Sequence, residues 1–213
     1  MGSRFFWLSF GGALLITTLA AWLSWQFFIQ PMDAAVRKAN ILHEKFQESF
    51  GVTPRILANA GVLFSQKSRL ESLVLANSEV GVREEFDGQK PGGGGFAASA
   101  GFLAGAGFFA REPLQINVRR GGAIVDASLP QIKILSLEMT SPVVCKPADV
   151  RWDALPERLQ TRVTKALERR AKRELLESGL LQRAEHELQQ KVQRIAADAH
   201  CDVFFVSARE EGP

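Results

Sequence analysis

Hydrophobic and polar positions divide this chain into an uncharged front, an ambiguous middle and a strongly periodic back half. From Phe5 to Ile29, "FFWLSFGGALLITTLAAWLSWQFFI" runs 25 residues without a charge, preceded by Arg4 and ended by Gln30-Pro31. A helix of that length reaches roughly 37 Å, enough to cross a hydrocarbon core of about 30 Å with some tilt. Twelve of its residues are Leu, Ile or Phe. At roughly −0.3 to −0.6 kcal/mol each, they favour insertion by about 4 to 7 kcal/mol. Trp7 near one end and Trp22 and Trp25 near the other suit an aromatic belt. A cleaved signal peptide is the alternative, with an apolar region of about 7 to 15 residues ending at a small-x-small site. Here the run continues past Ala20-Ala21 into Trp22, Trp25, Phe27 and Phe28. The pattern predicts an uncleaved transmembrane signal anchor over residues 5–30, after a tail of 1–4. Arg37, Lys38 and Lys45 beyond the span argue for a body inside, by positive-inside counting. The short tail bearing Arg4 argues for export, and export is the reading adopted.

After the span, "PMDAAVRKANILHEKFQESFG" places Val36, Ala39, Leu42, Phe46 and Phe50 near helical spacing, with Gly51 as a C-terminal cap. A linker helix over 31–51 is expected. "TPRILANAGVLFSQ" is ambiguous. "RLESLVLANSEVGVREEF" alternates around Val80, Val82 and Phe86 like a strand, while its first half also fits a turn or two of helix. Farther on, "LQINV", Gly121-Gly122 and "AIVDASL" read as a β-hairpin, and "QIKILSLEM" after Pro130 as another strand. Leu159, Val163, Ala166, Leu167, Ala171 and Leu175 form one helical stripe. Gly179 breaks it, and a second helix carries Leu181, Ala184, Leu188, Val192, Ile195 and Ala199. "DVFFVSA" closes as a short strand that pairs back into the sheet. The expected class is α+β: an N-terminal transmembrane helix, a small, mainly antiparallel sheet, two consecutive C-terminal amphipathic helices and a closing strand. The α+β domain would span 52–208, with a tail of 209–213.

One stretch resists this periodicity. "PGGGGFAASAGFLAGAGFFA", Pro91 to Ala110, has no charge, and Gly101 and Gly105 have the spacing of a membrane-helix dimer motif. From Gly92 to Ala110 it holds seven Gly and six Ala, but only four Phe and one Leu. Those five favour insertion by roughly 1.5 to 3 kcal/mol, and seven glycines oppose a helix. A second span would also place two halves of one β domain on opposite sides of the membrane. The expectation is a Gly-rich loop over 91–110 whose apolar segment packs on the domain. A lesser reading has Phe102, Phe108 and Phe109 dipping into the bilayer or contacting a partner.

With 46% hydrophobic residues and no long charge block, the chain is not of the disordered class. Its net charge of +3 arises from interleaved acids and bases. That describes a solvated surface better than a polyanion-binding one. The basic run Arg169 to Arg173 is balanced by Glu168, Glu174 and Glu177 and has no interleaved aromatics, so no nucleic-acid partner is expected. Cys145 and Cys201 are too few for a disulfide scaffold. If the strands beside them were antiparallel neighbours, the two sulfurs would approach bonding distance and close a long loop, as suits an exported domain.

The C-terminal half resembles the bacterial membrane-anchored family catalogued as domain of unknown function 4230. The likeness lies in "VDASLPQIKILSLEM", the Trp152-centred segment, "ALERRAKRELLESGLLQRAEHELQQKVQRI" and "CDVFFVS". It covers residues 50 to 207, is good from Leu129 onward and loose before Gly92. It implies an anchored α+β domain and brings no activity or catalytic residue with it. In that family a short Gly-Phe hairpin precedes the "LQINV"-like strand, and the Gly-rich stretch looks like an expansion of it.

Candidate chemistry is sparse. His43-Glu44 does not continue into H-E-x-x-H, since Gln47 stands where the second His belongs. His186 lies in a charged helix face. His200-Cys201-Asp202 is the densest ligand cluster, short of the three or four donors a zinc site needs from elsewhere. The glycines lack G-K-[ST], and no G-x-S-x-G elbow occurs around Ser128 or Ser136. Glu138 is a lone strand carboxylate near Lys133. No catalytic, metal or cofactor residue is assigned, and no cofactor is expected. The function expected is that of a membrane-tethered, non-enzymatic interaction or scaffold domain with a protein partner or a second copy. It would lie in a bacterial inner membrane with its body in the periplasm. The alternative is a small-molecule-binding or hydrolytic domain whose site forms only in the fold, in a deep polar pocket around Glu138 or His200.

Overall fold

The computed structural model describes residues 17–25, 30–58, 61–87, 94–147 and 149–206. Residues 17–25 are helical, but most of the expected anchor lies outside the described residues. Among the described residues no helix is long and apolar enough to cross a membrane. In chain order the elements begin with α1 (Gln30–Phe50), β1 (Val52–Thr53), β2 (Arg55–Ala58), β3 (Gly61–Phe64) and β4 (Lys67–Ser68). Then come β5 (Ser72–Phe86), β6 (Phe96–Phe109), β7 (Gln115–Arg119) and β8 (Ile124–Ser128). The back half holds β9 (Lys133–Met139), β10 (Val144–Lys146), α2 (Glu157–Glu177), α3 (Leu180–Asp198) and β11 (Asp202–Val206). The class is α+β with mixed, mostly antiparallel sheets. The chain forms two compact units, each built from separate segments.

The first unit takes the described residues up to Arg69, then Pro113–Leu129 and those from Val192 on. Its sheet runs β11-β8-β7-β2-β3. The β7–β8 hairpin forms as expected, turning through Gly121 and Gly122, both with positive φ. Two pairings are parallel, β2 with β7 and β8 with β11. The parallel β11 follows from its place after a helix instead of a tight turn. Helix α1 packs across this sheet. Ala35, Ala39, Leu42, Phe46 and Phe50 recur at helical spacing and are all buried. Val36, expected on that stripe, is exposed, and Ala35 takes its place. The helix expected as a linker is therefore a core element. Gly51, at φ 65°, ends it by donating to the Gln47 carbonyl at 3.0 Å.

The second unit takes Leu70–Glu112 and Pro130–Lys191. Its strands are all antiparallel: β6 pairs with β5 along one edge and with β9 and β10 along the other. Val163, Leu167 and Ala171 of α2 cluster with Val82, Phe86, Phe96, Ala98, Ala100 and Phe102. Leu175, Leu180 and Ala184 continue onto Ala104 and Ala106. The break between α2 and α3 falls at Gly179, whose φ of 77° suits glycine.

The loop expected over 91–110 is corrected by this sheet. Pro91, Gly92 and Gly93 lie outside the described residues, but Phe96–Phe109 is a 14-residue strand at the centre of the unit. Its alternation is one of size. Phe96, Ala98, Ala100, Phe102, Ala104, Ala106 and Phe108 are all buried, and the intervening positions include Gly101, Gly105 and Gly107. Phe102 and Phe108 are 1% and 0% exposed, so neither is available to a bilayer or partner; Phe109 is half-buried. Leu75 on β5 and Leu135 on β9 are extra residues at bulges that leave β6 regular. The neighbours then close on the glycines: a Cβ at Gly107 would meet the Leu73 carbonyl oxygen at 1.8 Å.

Candidate functional site

A concavity in the first unit forms where α1 ends. His43 and Gln47 are four residues apart, so they share one edge of the helix. Gly51 then turns the chain into β1, which pairs with β4 so that Thr53 stands opposite Lys67. Arg69 lies in the bend just beyond β4, and Phe64 arrives from the end of β3. These side chains, with Gly51, Leu63, Ser65 and Ser68, line an open concavity of about 860 Å³. That lies within the range of about 300 to 1,000 Å³ typical of small-molecule sites.

The His43 imidazole stacks on Phe64, with centroids 4.2 Å apart and planes 4° from parallel. Its Nδ1 is buried without a hydrogen-bond partner, at a cost of about 1 to 3 kcal/mol for such a group. Among the described residues no carboxylate lines the cavity. Among the described residues neither Lys67 nor Arg69 is held in an ion pair. Glu44 and Glu48 each lie one position, hence about 100°, round the helix from His43 and Gln47. The wall thus offers two cations, an imidazole, an amide and three hydroxyls, a set dominated by hydrogen-bond donors.

The residues singled out in the sequence fall elsewhere. Glu138 is exposed on β9, opposite Leu103 of β6, and Glu79 of β5 faces Leu103 from the other side. With strands about 4.8 Å apart, their backbones are separated by roughly 10 Å. Glu79 accepts a hydrogen bond from Thr140 Oγ1 at 3.2 Å. His200 sits at φ 54° just past α3, donating to the Ala197 carbonyl, while the Cys201 N–H reaches Ala196, both at 2.9 Å. That pair of bonds is a Schellman stop, so the His-Cys-Asp run is a helix terminus. Lys38 Nζ donates to the Ala199 carbonyl at the same end. Among the described residues no three His, Cys, Asp or Glu side chains come together as a metal would require. Arg170 pairs with Glu84 at 3.3 Å and Glu174 at 2.8 Å, which raises its pKa and accounts for part of the basic run.

The disulfide expectation is corrected. Cys145 and Cys201 are both free and buried. β9, the strand before Cys145, and β10, which holds it, both pair with β6, while β11 pairs with β8 in another sheet, so the antiparallel neighbours that the pairing required do not exist. Burial raises both thiol pKa values, with Lys38 partly opposing this at Cys201. Cys201 Sγ lies 3.1 Å from the Gly122 carbonyl oxygen.

The sequence drew attention to His43 only as half of a failed zinc motif, and to Lys67 and Arg69 not at all. The available signal was "SQKSR", a short polar run carrying two cations without an acid. No family model, no curated protein and no solved structure matches this chain.

Proposed function

We propose that this chain is a single-pass membrane protein whose folded body acts, without catalysis, as an interaction domain close to the bilayer. One observation carries the reading: α1, which begins at Gln30 directly after the uncharged run of 5–29, buries one face, from Ala35 to Phe50, in the first unit. An anchor in that run would join the body through a core helix. A body so held stays within about one helix length of the surface, roughly 30 Å for 21 residues. The exposed apolar side chains Phe204 and Val206 on the edge strand β11, 55% and 50% accessible, suit contact with a protein partner or a second copy. Export to the periplasm of a bacterial inner membrane, and kinship with the domain of unknown function 4230, belong to the same reading.

The test compares the full chain with a chain beginning at Gln30, each carrying a reporter after Pro213 that is active only outside the cytoplasm. The expected result is a carbonate-resistant membrane fraction and an active reporter for the full chain alone. A full chain recovered in the soluble fraction overturns the tether. An inactive reporter on a membrane-bound chain overturns the orientation.

A further inference from the structure

We infer that the cavity at the end of α1 is a binding site for a phosphate-bearing small molecule. The inference concerns the first unit alone and does not depend on the anchor.

The donor set identifies the ligand. Lys67 and Arg69 supply fixed positive charge, Thr53, Ser65 and Ser68 line the wall with hydroxyls, and among the described residues no acid lines it. The α1 C-terminus, near Gly51, contributes about half a negative charge against the two cations, so the cavity stays positive. A carboxylate has two oxygens to satisfy such a set. A phosphoryl group has three, carries up to two charges, and is matched by an Arg fork together with a Lys point charge. The volume of about 860 Å³ far exceeds what one phosphate fills, so the ligand carries a further body. The stacked His43–Phe64 pair supplies the apolar part of the wall. Its Nδ1 is buried, which leaves Nε2 as the ring nitrogen for a ligand.

The register of β1 and β4 sets this up. Because Thr53 faces Lys67 across a ladder only two residues long, the hydroxyl and the ammonium project on the same side. Arg69, in the bend just beyond β4, lines the same cavity. A one-residue slip of that ladder would part Thr53 from Lys67.

Phosphate of this kind comes either from solution or from a lipid headgroup, and two arms separate the sources. The full chain is prepared in maltoside micelles. One arm titrates inorganic phosphate and then pyrophosphate by calorimetry. The other dopes the micelles with phosphatidic acid and reads the broadening of its phosphorus resonance. Lys67→Gln and Arg69→Gln are compared with Lys165→Gln, which removes the same charge from the solvated face of α2, and circular dichroism verifies folding. Each site variant is expected to weaken binding at least about tenfold, in whichever arm binding occurs, with Lys165→Gln leaving it unchanged. Binding confined to the lipid arm and lost in the site variants identifies a headgroup. The proposal is overturned if neither arm binds, or if the site variants bind as the wild type or as Lys165→Gln does.

Discussion

Gly107→Ala isolates the feature on which the second unit depends, the close approach of bulged strands to a central glycine. The added Cβ would sit 1.8 Å from the Leu73 carbonyl oxygen, 2.8 Å from its carbon and 3.0 Å from Leu135 Cδ1. The first two atoms are backbone of the neighbouring strand and cannot turn aside as a side chain would. Relief requires moving β5 at its bulge, where Val74 pairs with Gly107. Overpacking of this kind costs about 1 to 3 kcal/mol, and a backbone clash in a central strand belongs at the upper end. In a chain of 213 residues about 3 kcal/mol corresponds to a fall in Tm of roughly 6 to 12 °C. Gly81→Ala is the matched control, since its Cβ would meet nothing within 4 Å and Gly81 pairs with Gly101 on the same two strands. It is expected to be neutral or to stabilise by about 0.5 kcal/mol through lost backbone freedom in the unfolded chain. Thermal and urea unfolding, followed by circular dichroism, measure both. A Gly107→Ala protein within about 2 °C of wild type, or a Gly81→Ala protein equally weakened, refutes the packing argument.

The other predictions rest on separate features. Leu167→Ala empties a fully buried position between α2 and β6 and should cost about 2 to 5 kcal/mol by urea denaturation. At His200, whose φ is 54°, Gly should match or exceed wild-type stability, while Val should lose about 1 to 2 kcal/mol in thermal melts. Cys145 and Cys201 should resist alkylation near pH 8 until the chain is unfolded, as two free thiols with raised pKa values. Because burial raises both thiol pKa values, stability should be full below the ordinary thiol pKa and be lost as pH rises from there through the raised folded value, and mutating both to Ser should flatten that alkaline slope.

What could be read from the sequence was whatever announced itself by polarity. The stripe Val163-Leu167-Ala171-Leu175, the Gly179 break and the Gly121-Gly122 hairpin were legible because apolar residues alternate there with charges or stop at glycine. β6 was missed because its alternation is Phe or Ala against mostly Gly, Ser and Ala. A test for polarity finds none, yet Phe96, Phe102 and Phe108 fall on one parity throughout. The linker reading of α1 failed differently. Its periodicity was seen, but the sheet that covers it comes from segments as distant as β7, which no local pattern discloses. The cavity was illegible for the same reason. Thr53 and Lys67 meet through a ladder of two residue pairs, too short to leave a signature.

The order in which segments enter the two units has a consequence for biosynthesis. Emerging from the ribosome, the chain supplies α1 and β2, leaves for β5 and β6, returns with β7 and β8, and leaves again for α2. The second unit has all its strands once β10 is out, and its last residue is Lys191. The first must wait for β11, whose Val203 aligns with Val125. Until then the flank of β8 that will receive β11 stands open on the nascent chain. Such an edge is a hazard for mispairing, and the parallel join that removes it is among the slower to form. The timing of that last strand, more than the strength of either core, would set how much of this protein reaches its folded state.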